Sequence, residues 1–131
     1  MAEVLVDLAA HCRLGASTPF KFGGCDCTLW VADWVRQRLG TDPAAPWRGR
    51  YRTRLGWRRL IAGRSLTEVA GHALRVAGAR EIDVQDAMPG DVGMIDTREG
   101  PAMAIRGRLG WMAKTGDGLW RCPVALIAWR L

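Results

Sequence analysis

No stretch of this chain stays apolar for more than a handful of residues, the run from Val124 to Trp129 being typical. A membrane-crossing helix needs roughly 20 such residues in succession, so no membrane span is expected. The opening string MAEVLVDLAAHC carries Glu3 and Asp7 where a secretory leader would carry lysine or arginine, and its apolar residues follow a helical period. It reads as the first helix of a folded domain. Lysine is almost missing, with only Lys21 and Lys114, so the net charge of +6 rests nearly wholly on arginine. Acidic residues are absent from the stretch that holds Arg48, Arg50, Arg52, Arg54, Arg58, Arg59 and Arg64. Histidine occurs twice, at His11 and His72, which leaves few candidates for an imidazole base.

Metal-ligand spacing is also lacking. Of the four cysteines, Cys25 and Cys27 stand one residue apart rather than two, and Cys12 and Cys122 are isolated, which fits a structural zinc knuckle poorly. Neither a metal nor another cofactor is expected. A chain of 131 residues that is 49% hydrophobic can close a core without disulfides, so free thiols are expected in a protein folded in the cytoplasm.

What is present organises as one domain over residues 1–131. Val4, Leu5, Leu8 and Ala9 share one side of a helix from about Ala2 to Cys12, ended by Gly15. The strongest element follows the turn-rich string STPFKFGG. Cys27, Trp30, Val31, Trp34 and Val35 recur at i, i+3, i+4, i+7 and i+8, the pattern of a buried helix with Cys27 in its first turn. A third helix is expected from about Tyr51 to Ala62, with Leu55, Leu60 and Ile61 inward. A fourth, from about Ser65 to Val76, opens on a Ser65–Glu68 capping box. After Gly78, short apolar stretches alternate with Gly, Pro and Asp turns: Val92 to Ile95, Ala102 to Ile105, Leu109 to Ala113, Leu119 to Cys122 and Leu126 to Trp129. Helices first and strands afterwards predict an α+β fold, N-terminal helices packed on a C-terminal antiparallel sheet.

The start of a helix carries partial positive charge and free amides, which favour a thiolate. Cys27 so placed could be a nucleophile. From these residues alone the favoured reading is that Asp26 merely caps the helix and Cys27 is a small core residue, because a reactive cysteine also needs a base.

The string Pro19-Phe20-Lys21-Phe22-Gly23-Gly24-Cys25-Asp26-Cys27-Thr28-Leu29-Trp30-Val31-Ala32-Asp33 resembles the nucleophile segment of NlpC-type cell-wall peptidases, where an aromatic-glycine loop leads into Asp-Cys and a buried helix. Met88-Pro89-Gly90-Asp91-Val92 resembles their Pro-Gly-Asp turn ahead of the first strand of the catalytic sheet. Trp47-Arg48-Gly49-Arg50-Tyr51-Arg52-Thr53 and the closing Ala128-Trp129-Arg130 resemble short, uncharacterised phage and prophage proteins that are encoded among tail genes and look like distant NlpC relatives. The resemblance runs from about Pro19 to Arg130 and implies a papain-like, NlpC-type fold.

It also exposes a missing part. The position matching the catalytic histidine of those peptidases lies near Pro101, at the head of the stretch Ala102 to Gly107, and proline cannot take or give a proton. His11, read as a partly exposed helix residue, and His72, read as a packing histidine, lie on predicted helices instead. Asp91 is read as a turn-holding residue, together with Pro89 and Gly90. Trp47, Arg48, Arg50, Tyr51, Arg52 and Arg54 are candidate partner-binding residues, since Trp, Tyr and Arg are the types enriched at interface anchors. Phosphate neutralisation and base stacking by the same set is the less favoured reading. The expectation is a structural or assembly protein of a phage tail tip, located in the virion after synthesis in the bacterial cytoplasm, with other tail or tail-hub proteins as partners. The alternative is a cell-wall cysteine peptidase or amidase acting on peptidoglycan through Cys27.

Overall fold

The computed structural model describes all residues from Met1 to Leu131. Its spine is helix α2 (Cys27–Leu39), opened by the Asp26 carboxylate, which accepts a hydrogen bond from the Leu29 amide at 2.8 Å, and closed by Gly40 at φ +78°. The predicted apolar stripe is buried at Trp30, Val31, Trp34 and Val35, but Leu29 and Ala32 are buried too. The reason is a neighbour on a second side: Leu29 and Ala32 pack with Ala44 and Tyr51, while Trp30, Val31, Trp34 and Val35 join the main core.

Helix α1 (Ala2–Ser17) continues five residues past its expected end. Gly15 does not stop it. Its missing side chain instead admits the indole of Trp30, because a Cβ there would lie 2.3 Å from Trp30 Nε1. Helix α3 (Arg54–Ile61) is shorter than expected, since Thr53 caps it by accepting from the Gly56 amide at 3.0 Å, leaving Tyr51 and Arg52 ahead of the helix. Leu55, expected inward, is 55% exposed; Trp57, Leu60 and Ile61 face in. Helix α4 (Leu66–Ala77) begins as predicted, with Ser65 Oγ accepting from the Glu68 amide at 3.1 Å, and Gly78 ends it at φ +107°.

Six antiparallel strands follow: β1 (Arg80–Ile82), β2 (Val92–Thr97), β3 (Gly100–Arg106), β4 (Trp111–Thr115), β5 (Gly118–Cys122) and β6 (Ile127–Arg130), in the order β1-β6-β2-β3-β4-β5. The edge strand β1 is one that periodicity missed, because Arg-Glu-Ile is too short and too charged to show alternation. Strand β4 starts at Trp111 rather than Leu109, which sits 78% exposed in the preceding turn. One sheet face puts Val92, Met94, Met103, Ile105 and Trp129 in the main core with residues of α1, α2 and α4; the other carries Ile95, Trp111 and a run of alanines under Val84, Ala87 and Ala125. The fold is therefore α+β, with α2 seated on β3 and β4. No helix is long and apolar enough to cross a membrane.

Candidate functional site

The loop before α2 is shaped around one carboxylate. Gly23 adopts φ +81°, and a Cβ on it would fall 2.0 Å from the Tyr51 carbonyl, so no larger residue fits. From that position the Gly23 amide donates to Asp26 Oδ2 at 3.0 Å, and the Tyr51 hydroxyl donates to the same oxygen. With Leu29 on Oδ1, Asp26 is buried at 3% exposure and fully engaged. Gly24 is less constrained, its would-be Cβ meeting only the Lys21 side chain at ordinary contact distance. Burial, and then the neighbouring Asp26 carboxylate, push the Tyr51 phenol far above its usual range. It is a fixed donor.

Cys27 follows, at the first residue of α2, on the wall of a cavity of about 430 Å³. The cavity is bounded by the aromatic rings of Phe20, Phe22, Tyr51 and Trp57, by Glu99 of the β2–β3 turn, by Pro101 at the start of β3 and by Lys114 near the end of β4. The helix start alone would lower the thiol pKa. The local balance goes the other way, because burial, followed by the charge of Asp26, raises it against hydrogen bonds from Thr28 and the Met103 backbone. The Sγ lies 3.9 Å from Thr28 Oγ1. The proton stays on sulfur at neutral pH.

No histidine lines this cavity, whereas Pro101 does. His11 is committed elsewhere: its Nε2 lies 2.9 Å from the Trp30 carbonyl and its ring stacks on Trp30 at 5.0 Å. Burial lowers its pKa, opposed by that carbonyl, so the ring is neutral. His72 was expected to pack; it is exposed on α4 instead, while Val69, Gly71 and Leu74 are buried.

The Pro89-Gly90-Asp91 turn is a clamp. Asp91 accepts from the Met88 amide at 2.8 Å and from Arg130 at 3.1 Å, while the Gly90 carbonyl accepts from Trp34 Nε1 at 2.8 Å. Gly90 stands at φ +97°, and a Cβ would reach 2.8 Å from Val4. The turn thus ties α2 to the sheet and lies outside the Cys27 cavity.

The arginine segment divides into several environments. Arg48 is spent on Asp42 and Asp33, each at 2.6 Å, and Arg50 donates to the Pro46 carbonyl at 3.1 Å. Tyr51, expected as a surface anchor, is 5% exposed and serves Asp26. Trp47 is half-buried, edge-on to Trp57 at 5.9 Å. Arg54 pairs with Glu99 at 2.7 Å and lies over the Phe22 ring. Arg52, Arg58 and Arg59 are exposed and make no ion pair.

One residue of the cavity was missed by sequence reasoning altogether. Lys114 is 2% exposed, and its ammonium donates to the Gly15 carbonyl at 2.7 Å and to the Thr18 carbonyl. In the sequence it stands just past the strand expected from Leu109 to Ala113, ahead of Thr115, Gly116 and Asp117, so no local pattern marked it as buried. The four cysteines are unpaired, and no three His, Cys, Asp or Glu side chains gather as metal ligands.

Comparison with curated proteins and with solved structures gives no match for this chain. A family model described as Domain of unknown function (DUF6950) matches residues 3–131, nearly its whole length. The chain belongs to the DUF6950 family.

Proposed function

We propose that this chain is a papain-like domain of the NlpC type that does not hydrolyse peptides and serves as a binding component of a phage tail tip or its assembly machinery. The observation that carries the reading is the cavity shared by Cys27 and Pro101 without an imidazole. A thiol nucleophile needs a group to take its proton and return it to the leaving amine. Here the thiol is held protonated and both histidines are elsewhere.

The NlpC type is supported by the resemblance of the Asp26-Cys27 and Pro89-Gly90-Asp91 segments, together with helices preceding an antiparallel sheet that seats the cysteine helix. The tail setting, in a virion assembled from cytoplasmically made parts, is supported by the resemblance of Trp47 to Thr53 and Ala128 to Arg130 to phage tail-cluster proteins. Exposed Arg52, Arg58 and Arg59 beside half-buried Trp47 are of the types that anchor interfaces. Nucleic acid is the less favoured partner, because Tyr51 is buried and Arg48 is ion-paired.

Reconstitution with the tail-tip and hub proteins of the same genome is expected to give a complex stable to size-exclusion chromatography. Normal virions from a deletion strain would rule the role out. Incubated with purified cell wall, the protein is expected to release no peptides. Release that disappears in Cys27→Ser would instead establish the peptidase reading.

A further inference from the structure

We infer that the cavity beside Cys27 receives the C-terminal end of a partner polypeptide, its carboxylate on Lys114 and its last apolar side chains against the aromatic wall. This rests on the binding-component reading above. Lysine is almost never fully buried unless a carboxylate accompanies it. Lys114 has none: its two partners are carbonyls, and no acidic side chain forms an ion pair with it. An ammonium has three donors; the two carbonyls take two of them, and Lys114 is among the residues that line the cavity.

The other charges of the cavity leave a positive excess. Glu99 is paired with Arg54, and the Asp26 carboxylate, held by two amides and a phenol, keeps its negative charge against the two cations Lys114 and Arg58. Arg58 also lines the cavity, exposed and unpaired. The charge left over is positive, beside Phe20, Phe22, Tyr51 and Trp57. One buried ammonium with an apolar surround suits one carboxylate with an apolar substituent. A chain end delivers both on a single residue and leaves by the mouth, whereas an acidic residue in mid-chain would have to thread backbone in and out of about 430 Å³.

The test uses acetylated tripeptides ending in leucine or phenylalanine, each as free acid and as C-terminal amide. Binding is followed by tryptophan fluorescence, and Cys27 alkylation by mass spectrometry. The free acids are expected to bind about tenfold more tightly than the amides, the scale of one charge-assisted hydrogen bond, and to slow Cys27 modification. Arg58→Ala is expected to weaken the acids and leave the amides unchanged. Lys114→Met, where circular dichroism shows a native fold, is expected to erase the difference between acid and amide. No binding, equal binding of acid and amide, or binding without protection of Cys27 overturns the inference. So does tighter binding of a cell-wall tetrapeptide, which would assign the cavity to peptidoglycan. If the acids fail while the tail complex forms and ignores Arg58→Ala, the partner docks on another surface and the binding-component reading stands. If the acids bind while no tail complex forms, the tail reading alone falls.

Discussion

At Cys27 two electrostatic effects compete over a few ångströms. The amides at the start of α2 favour a negative charge, but the Asp26 carboxylate already occupies that position, and burial disfavours a second anion. Alkylation by iodoacetamide is therefore expected to be slow at neutral pH and to rise only above the ordinary cysteine range, near ~8.5. A rate at pH 7 matching that of a free thiolate would contradict this account. Tyr51 offers a second test. Replacing it with phenylalanine keeps the ring against Trp57, at 5.1 Å, but strips one donor from a buried carboxylate. The expected loss is about 1.5–3 kcal/mol of unfolding free energy in urea titrations. The sign of the pH dependence follows from both raised groups. Their neutral forms contribute fully below the ordinary cysteine and tyrosine values, and the contribution is lost as pH climbs past each. Unfolding midpoints are expected to fall progressively above about pH 9–10, and the fall is expected to be shallower in Tyr51→Phe.

Among the elements, contact quality rather than length decides what holds. Gly15→Ala would press a methyl into the Trp30 indole, with an expected cost of about 1–3 kcal/mol for overpacking, measured by thermal or urea melts. Ser65→Ala removes only the cap of α4 and is expected to cost ~1 kcal/mol. A larger loss at Ser65 than at Gly15 would reverse this ranking of interfaces. The same contrast explains what was legible beforehand. Helix α2 and the cap of α4 were readable because their signals are local: apolar spacing in one case, Ser65 and Glu68 in the other. The extent of α1 was not, because Gly15 breaks helices by propensity and is retained here by a neighbour distant in sequence. Tyr51 fits a helical register with Leu55, yet its hydroxyl is engaged on Asp26, and the helix begins only after Thr53.

For the whole molecule, the sheet and the helices on one of its faces followed from the order of patterns along the chain. That Cys27 and Pro101 line one cavity was not legible from spacing, since no local pattern links residues so far apart in the chain. Lys114 escaped because a lysine in a strand is ordinarily an edge or solvent residue, and only the docking of α1 over that end of the sheet buries it. Raising ionic strength offers a check at this scale. Buried charges are screened far less than exposed ones, so a cationic floor predicts carboxylate binding that survives moderate salt. Binding that vanishes at about 0.3 M salt would point to the exposed arginines instead.

The bond from Lys114 to the Gly15 carbonyl joins residues 99 positions apart, and that to Thr18 spans 96. Closing so long a loop is entropically expensive and kinetically slow. While the polypeptide is being synthesised, its earliest helix must therefore wait, undocked at its far end, until the strands near the other end have emerged. The chamber beside the thiol gains its cationic side only in the last stage of folding, so a nascent or truncated chain is expected to have no such receptor at all.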